Sequence, residues 1–169
     1  MFLVKLDGCK LAGRCVRPDT MRSSLTTIDA NMTNPSKQEM FDAALKIRKE
    51  VLGDAYVDRA FAIKDEFTDD VQEYLTVHSW GGSWARRDAD GELTLSKKTR
   101  SFMNLAMLCC LNRPHELELH VRGAINNGVT KKEMKEIFLH VATYAGAPAL
   151  IDGVRAARKV WAEHEAAGR

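Results

Sequence analysis

The chain has 169 residues, of which 45% are hydrophobic and 28% charged, with a net charge of +2. These values fit one ordinary globular domain, long enough to bury a real core. Acids and bases are interspersed and no apolar run approaches a membrane span, which argues against nucleic acid and against a membrane as partners.

Residues 1–34 mix Gly, Arg, Ser, Thr and Asp without sustained periodicity and lack the long apolar segment of a secretory signal. They read as an irregular leader, either disordered or the product of a start assigned too far upstream, with Met32 and Met40 as alternative starts. A helical domain is expected over 35–169. Ser36 with Glu39 spells a capping box, and Met40, Phe41, Ala44, Leu45 and Ile47 follow at helical spacing up to Gly53. Two short helices are expected over 56–67 and 69–77, with Phe61 and Phe67 in the core. The WGGSWARR stretch, 80–87, carries two tryptophans four apart beside two arginines, and its glycine pair is expected to break the helix. It reads either as interface aromatics with a solvated arginine pair or as a pocket wall with a guanidinium for a carboxylate. DADGELT, 88–94, is a polar turn segment.

Residues 96–111 are apolar around nearly the whole helix, the pattern of a central helix or one at a subunit interface. Arg100, in its first turns, reads as an anion anchor at a pocket rim or as a surface ion pair. The next stretch, 113–128, reads as one helix. Pro114 opens it and Asn127-Gly128 stops it. At about 100° per residue, His120 shares an arc with Leu117, Val121 and Ala124, and Glu116 lies one turn before it. The arrangement reads as a core histidine bonded to Glu116 or a carbonyl, or as an acid/base device. Thr130 with Glu133 spells a second capping box. Met134, Ile137, Phe138, Val141 and Tyr144 share the face that follows, with His140 at the polar edge. Gly146 and Pro148 lead into a last helix marked by Val154 and Trp161. No strand pattern or internal repeat is visible, so the fold is expected to be all-α, a compact bundle of about seven helices.

The four cysteines are Cys9, Cys15, Cys109 and Cys110. They show neither C-x-x-C nor zinc-ligand spacing and read as reduced thiols in a cytoplasmic protein. HELELH, 115–120, is not the zincin H-E-x-x-H, because the extra residue turns the second histidine away. Glycine-rich phosphate loops and G-x-S-x-G are also missing. The sequence therefore carries no signature for a metal or another cofactor.

Several stretches together resemble the γ-carboxymuconolactone decarboxylases, a branch of the carboxymuconolactone decarboxylase/alkylhydroperoxidase D superfamily. They are RKEVLGDAYVDRA (48–60), W-G-x-x-W-x-R (80–86), KTRSF (98–102) and ELELHVRGAINNGVTKKEMKEIFLHVATYAGAP (116–148). The resemblance implies an alkylhydroperoxidase D-like, all-helical, ring-shaped oligomer, a homohexamer or homotrimer. It also implies a small dicarboxylate lactone as substrate. Loss of one carboxylate would push electrons onto the lactone carbonyl, so the reaction needs no cofactor. Within that reaction, residue type and position nominate His120 as general acid, with Glu116 orienting it. Arg86, then Arg100, would hold the retained carboxylate. Trp80, Trp84 and Tyr144 would wall the pocket, and His140 would be a reserve proton donor. The C-x-x-C of the peroxidase branch would fall on Arg113 and Glu116, so its redox thiols are missing. The segment between Arg86 and Arg100 is longer than the family pattern. It leaves open a related enzyme acting on another small acid or lactone; a non-catalytic helical oligomer that binds a small anion is a separate alternative.

Overall fold

Both capping boxes form. The Ser36 hydroxyl accepts from the Glu39 amide while the Glu39 carboxylate accepts from the Ser36 amide. Thr130 and Glu133 repeat the exchange. Each pair satisfies amide donors that a helix start leaves without partners. The computed structural model describes residues 36–168; the leader 1–34, with Cys9 and Cys15, lies outside them. The described residues form an all-α bundle of seven α-helices and one π-helix. These are α1 (Lys37–Leu52), α2 (Asp54–Ala62), α3 (Asp69–Tyr74), the π-helix (Leu75–Trp84), α4 (Lys97–Cys110), α5 (Pro114–Asn126), α6 (Lys131–Ala145) and α7 (Ala147–Ala166). An isolated antiparallel bridge, Arg87 to Leu93, is the one piece of extended pairing among them. None of these helices is long and apolar enough to cross a membrane.

Two apolar clusters hold the bundle. One joins α4 to α7 through Leu105, Cys109, Leu117, Val121, Met134, Phe138 and Val160. The other joins α1, α2 and the π-helix through Ala44, Ile47, Val51, Val57, Trp80 and Trp84. Helix α5 serves both, because Leu117 and Val121 enter the first cluster while Leu119 packs on the second. His120 therefore lies at the seam between them.

The Asn126-Asn127-Gly128 run is a structural clasp. Asn126 donates to the Val51 carbonyl at 2.8 Å, satisfying one of the orphan acceptors at the end of α1. Asn127 donates to the buried Ser101 hydroxyl at 2.9 Å, tying α5 to the start of α4. Gly128, at φ 77°, takes the left-handed turn that lets the chain leave the helix.

Several expectations change. The glycine pair does not break the helix. The chain runs from α3 straight through Gly81-Gly82 as a π-helix, with the Ala85 amide bonding the Trp80 carbonyl five residues back at 2.8 Å. A Cβ at Gly81 would sit 3.3 Å from the Ala44 Cβ, so this glycine serves close approach to α1. Phe67 is 88% exposed, whereas Phe61 packs edge-on against Phe41. Helix α4 is buried on one side only, and Met107, Cys110 and Leu111 face solvent. Tyr144 leaves the inner face of α6 and is 77% exposed.

Candidate active site

The site is built where the π-helix, α4 and α5 meet. A π-helix shifts side chains relative to an α-helix and recurs at functional sites. Here Arg48 of α1 anchors it. The guanidinium is buried, donates to Thr76 Oγ1 and Gln72 Oε1 at 3.0 Å each, and lies over the Phe61 ring. Thr76 in turn bonds back to the Gln72 carbonyl. That network sets the register at which Trp80, Ser83 and Trp84 emerge.

Trp80 and Trp84 are both buried and stack with ring centres 5.1 Å apart. Trp84 then lies nearly parallel to the His120 ring, at 17° and 6.4 Å between centres. Trp80 thus backs Trp84, and Trp84 faces the histidine. At the edge of the His120 ring stands Asn104 of α4, its Nδ2 3.3 Å from His120 Nδ1. The tight α4–α5 connection brings them together. Asn112 takes a left-handed conformation at φ 51°, which asparagine tolerates, and Pro114 starts α5.

Arg100 lies one turn before Asn104 on α4. Its side chain is 7% exposed, yet its Nε has no partner and Nη1 reaches only Ser83 Oγ, at 3.3 Å. Burial holds its pKa below the ordinary value, and the positive charge of Arg86 lowers it further, which places the two guanidiniums within each other's field. Among the described residues neither arginine forms an ion pair with a carboxylate. Buried charges are normally paired, and Arg100 is buried without a carboxylate partner, with the exposed Arg86 beside it.

Arg86 itself is exposed and starts the long loop. The Thr94 amide bonds its carbonyl, and the loop closes on Asp88, whose carboxylate accepts from the Asp90 and Glu92 amides at 3.0 Å each. Gly91, at φ 80°, makes the turn.

His120 is half-buried. Burial lowers its pKa below 6.5, and the nearby Glu116 carboxylate opposes that shift as the smaller influence. Glu116 is exposed on the adjacent turn and acts on His120 through space. His140 and Tyr144 pair with each other on the exposed side of α6, ring centres 5.0 Å apart. The structure therefore gathers His120, Glu116, Arg100, Arg86, Trp84 and Trp80. It adds Asn104 and Ser83, which the sequence does not single out. The spacing of Arg100 and Asn104 on one helix face was the available signal for Asn104. Cys109 is buried against the Ala149 carbonyl, and burial raises its pKa, the opposite of an activated thiol. Among the described residues no cluster of three or more His, Cys, Asp and Glu side chains gathers as for a metal.

The family model described as the Carboxymuconolactone decarboxylase family matches residues 69–159, which hold every residue of this site. The chain is 36% identical over 124 residues to a 4-carboxymuconolactone decarboxylase of Acinetobacter baylyi, covering 73% of this chain and 88% of the relative. It is 39% identical over 122 residues to a nitrosuccinic acid decarboxylase of Metarhizium robertsii, covering 72% of this chain and 81% of the relative. A 4-carboxymuconolactone decarboxylase of Pseudomonas putida is 38% identical over 45 residues, 27% of this chain and 94% of that sequence. With its helical bundle and the matched stretch spanning the whole site, this chain belongs to the carboxymuconolactone decarboxylase family.

Proposed function

We propose that this chain decarboxylates γ-carboxymuconolactone to the β-ketoadipate enol-lactone, a step of protocatechuate catabolism. The observation that carries the proposal is the buried, carboxylate-free Arg100 beside Arg86, one helical turn from the partner of His120. Such a site suits a substrate with two carboxylates. One is held by a guanidinium in planar, charge-assisted contact. The other departs as CO₂.

The bond that breaks joins the γ-carbon to its carboxylate. Its electron pair moves through the ring double bond onto the lactone carbonyl oxygen, giving a dienolate, and one solvent-derived proton then adds at the α-carbon. The protein must stabilise that oxygen as charge develops. His120 serves here as a neutral Nε2–H donor, because burial disfavours its protonated form more than the Glu116 carboxylate favours it. A neutral imidazole with a lowered pKa is a known device for polarising a carbonyl, and preorganised donors of this kind are the largest single source of rate. Trp84 lies nearly parallel to the ring, and the Glu116 carboxylate on the adjacent turn is the charge that acts on it.

The similarity to a nitrosuccinic acid decarboxylase favours a second reading at the same site. Nitrosuccinic acid is also a dicarboxylate, and its nitro group can take the electron pair as the lactone carbonyl does. An assay of both compounds separates the two. Preferential CO₂ release from γ-carboxymuconolactone supports the first reading, and preference for nitrosuccinate supports the second. Release from neither by a folded protein leaves an anion-binding helical protein. We also place self-association, as a homotrimer or homohexamer, on the outer side of α4, where Met103, Met107 and Leu111 are 40%, 52% and 65% exposed. Sedimentation of Met107→Lys tests it, with a smaller particle expected.

A further inference from the structure

The histidine has two ring nitrogens, and which one carries the proton decides what the site can do. The side-chain amide nitrogen of Asn104 lies 3.3 Å from His120 Nδ1. With the amide –NH₂ on that side, which only donates, Nδ1 accepts and the ring proton sits on Nε2. We propose that Asn104 is a positioning residue that fixes His120 in the Nε2–H tautomer and presents that N–H to the reacting oxygen. The inference rests on the reading of His120 given above, but the tautomer itself is a property of the ligand-free protein.

Three features of the surroundings support the assignment. Trp84 lies nearly parallel to the ring, with centres 6.4 Å apart, which favours one ring plane and leaves the nitrogen partners to set its edge. Glu116, on the same helix, is the charged group whose field reaches the ring. On α4, Arg100 stands one turn before Asn104, with the Arg86 charge within its field. An aspartate at position 104 would accept a proton from Nδ1 and stabilise a charged ring beside those guanidiniums. An asparagine holds the same edge without charge. It also stands one turn from Arg100 on α4, so a single rigid helix sets the distance between the anion anchor and the histidine.

Long-range proton–nitrogen NMR of the ¹⁵N-labelled full chain near neutral pH reads the tautomer directly. His120 is one of five histidines and is assigned by comparison with His120→Gln. A non-protonated Nδ1 with a protonated Nε2 is expected. A protonated Nδ1, or a freely averaging pair, overturns the proposal whatever the substrate proves to be. In Asn104→Asp the tautomer is expected to switch and the ring to hold its proton to higher pH. In Asn104→Leu the tautomers are expected to average. Both variants should lose kcat, by about a hundredfold, as misoriented catalytic groups do, while KM changes little because Arg86 and Arg100 are untouched. Wild-type kcat in a folded Asn104→Leu also overturns the proposal. If no form of the protein releases CO₂, the functional reading fails, and the NMR of the wild type alone still decides the tautomer.

Discussion

Replacing Arg100 with methionine separates an anion-binding arginine from a structural one, because the two roles move stability in opposite directions. The side chain is 7% exposed, its Nε is unpartnered, and its one hydrogen bond, to Ser83, is long at 3.3 Å. An unsatisfied buried polar group costs about 1–3 kcal/mol, and a weak neutral partner returns about 0.5–1 kcal/mol. Methionine keeps most of the aliphatic stem and adapts to irregular space. The variant is therefore expected to gain about 1 kcal/mol, which raises Tm by about 2–4 °C for a protein of this size. Substrate binding should move the other way. A hydrogen bond to a charged group contributes about 1.5–3 kcal/mol, so KM should rise about 10- to 150-fold. Urea denaturation followed by circular dichroism, and steady-state kinetics on the same preparation, measure both. A variant that loses more than about 1 kcal/mol, or that keeps the wild-type KM, refutes the reasoning. Arg100 would then be a packing residue, and the anion would lie elsewhere.

Two further outcomes follow from single residues. Burial lowers the folded pKa of His120 below 6.5, so the unfolded chain takes up this proton first as pH falls. The stability owed to the neutral ring is then complete above 6.5 and is lost as pH falls through 6.5 towards the folded pKa. Denaturation curves between pH 7.5 and 5 should show wild type losing more stability than His120→Gln. Over the same range kcat/KM should fall on the acid side with a midpoint below 6.5, and a midpoint above that value would contradict the burial argument. At Gly153, an added Cβ would lie 2.7 Å from Phe138 Cδ1 and 2.8 Å from Cys109 Sγ. Both neighbours are buried, so Gly153→Ala should cost about 1–3 kcal/mol by overpacking. That outweighs the helix propensity alanine adds, about 1 kcal/mol, and an unchanged urea midpoint would show that α4, α6 and α7 give way more easily than their packing implies.

What the sequence could reveal follows the range of each interaction. Capping boxes and the Asn-Gly stop are local, so Ser36, Glu39, Thr130, Glu133 and Gly128 were readable as helix ends. The α5 stripe was readable too, because one helix dictates that Leu117, Val121 and Ala124 face inward together. The π-helix was not. Gly81 suits a close pass by Ala44, from a helix more than thirty residues earlier, and without that helix the glycine pair reads as a breaker. Phe67 and Tyr144 look like core residues by type, but helix bounds and facing partners turn them outward. The partner of His120 was hidden for the same reason. Helix periodicity offers Glu116, four residues back, while the atom within reach comes from α4 across a turn. Arg100 could be seen as an anion anchor or a surface ion pair, and its burial without a carboxylate removes the surface ion pair.

The reaction run in heavy water with chelator-treated protein tests the central claim most directly. γ-Carboxymuconolactone is added, CO₂ is measured, and the product is examined by NMR. A decarboxylation that uses the lactone as its own electron sink should proceed at full rate and place one deuterium at the α-carbon of the enol-lactone. A folded protein that releases no CO₂, or a product that carries its deuterium at the γ-carbon, would contradict the account.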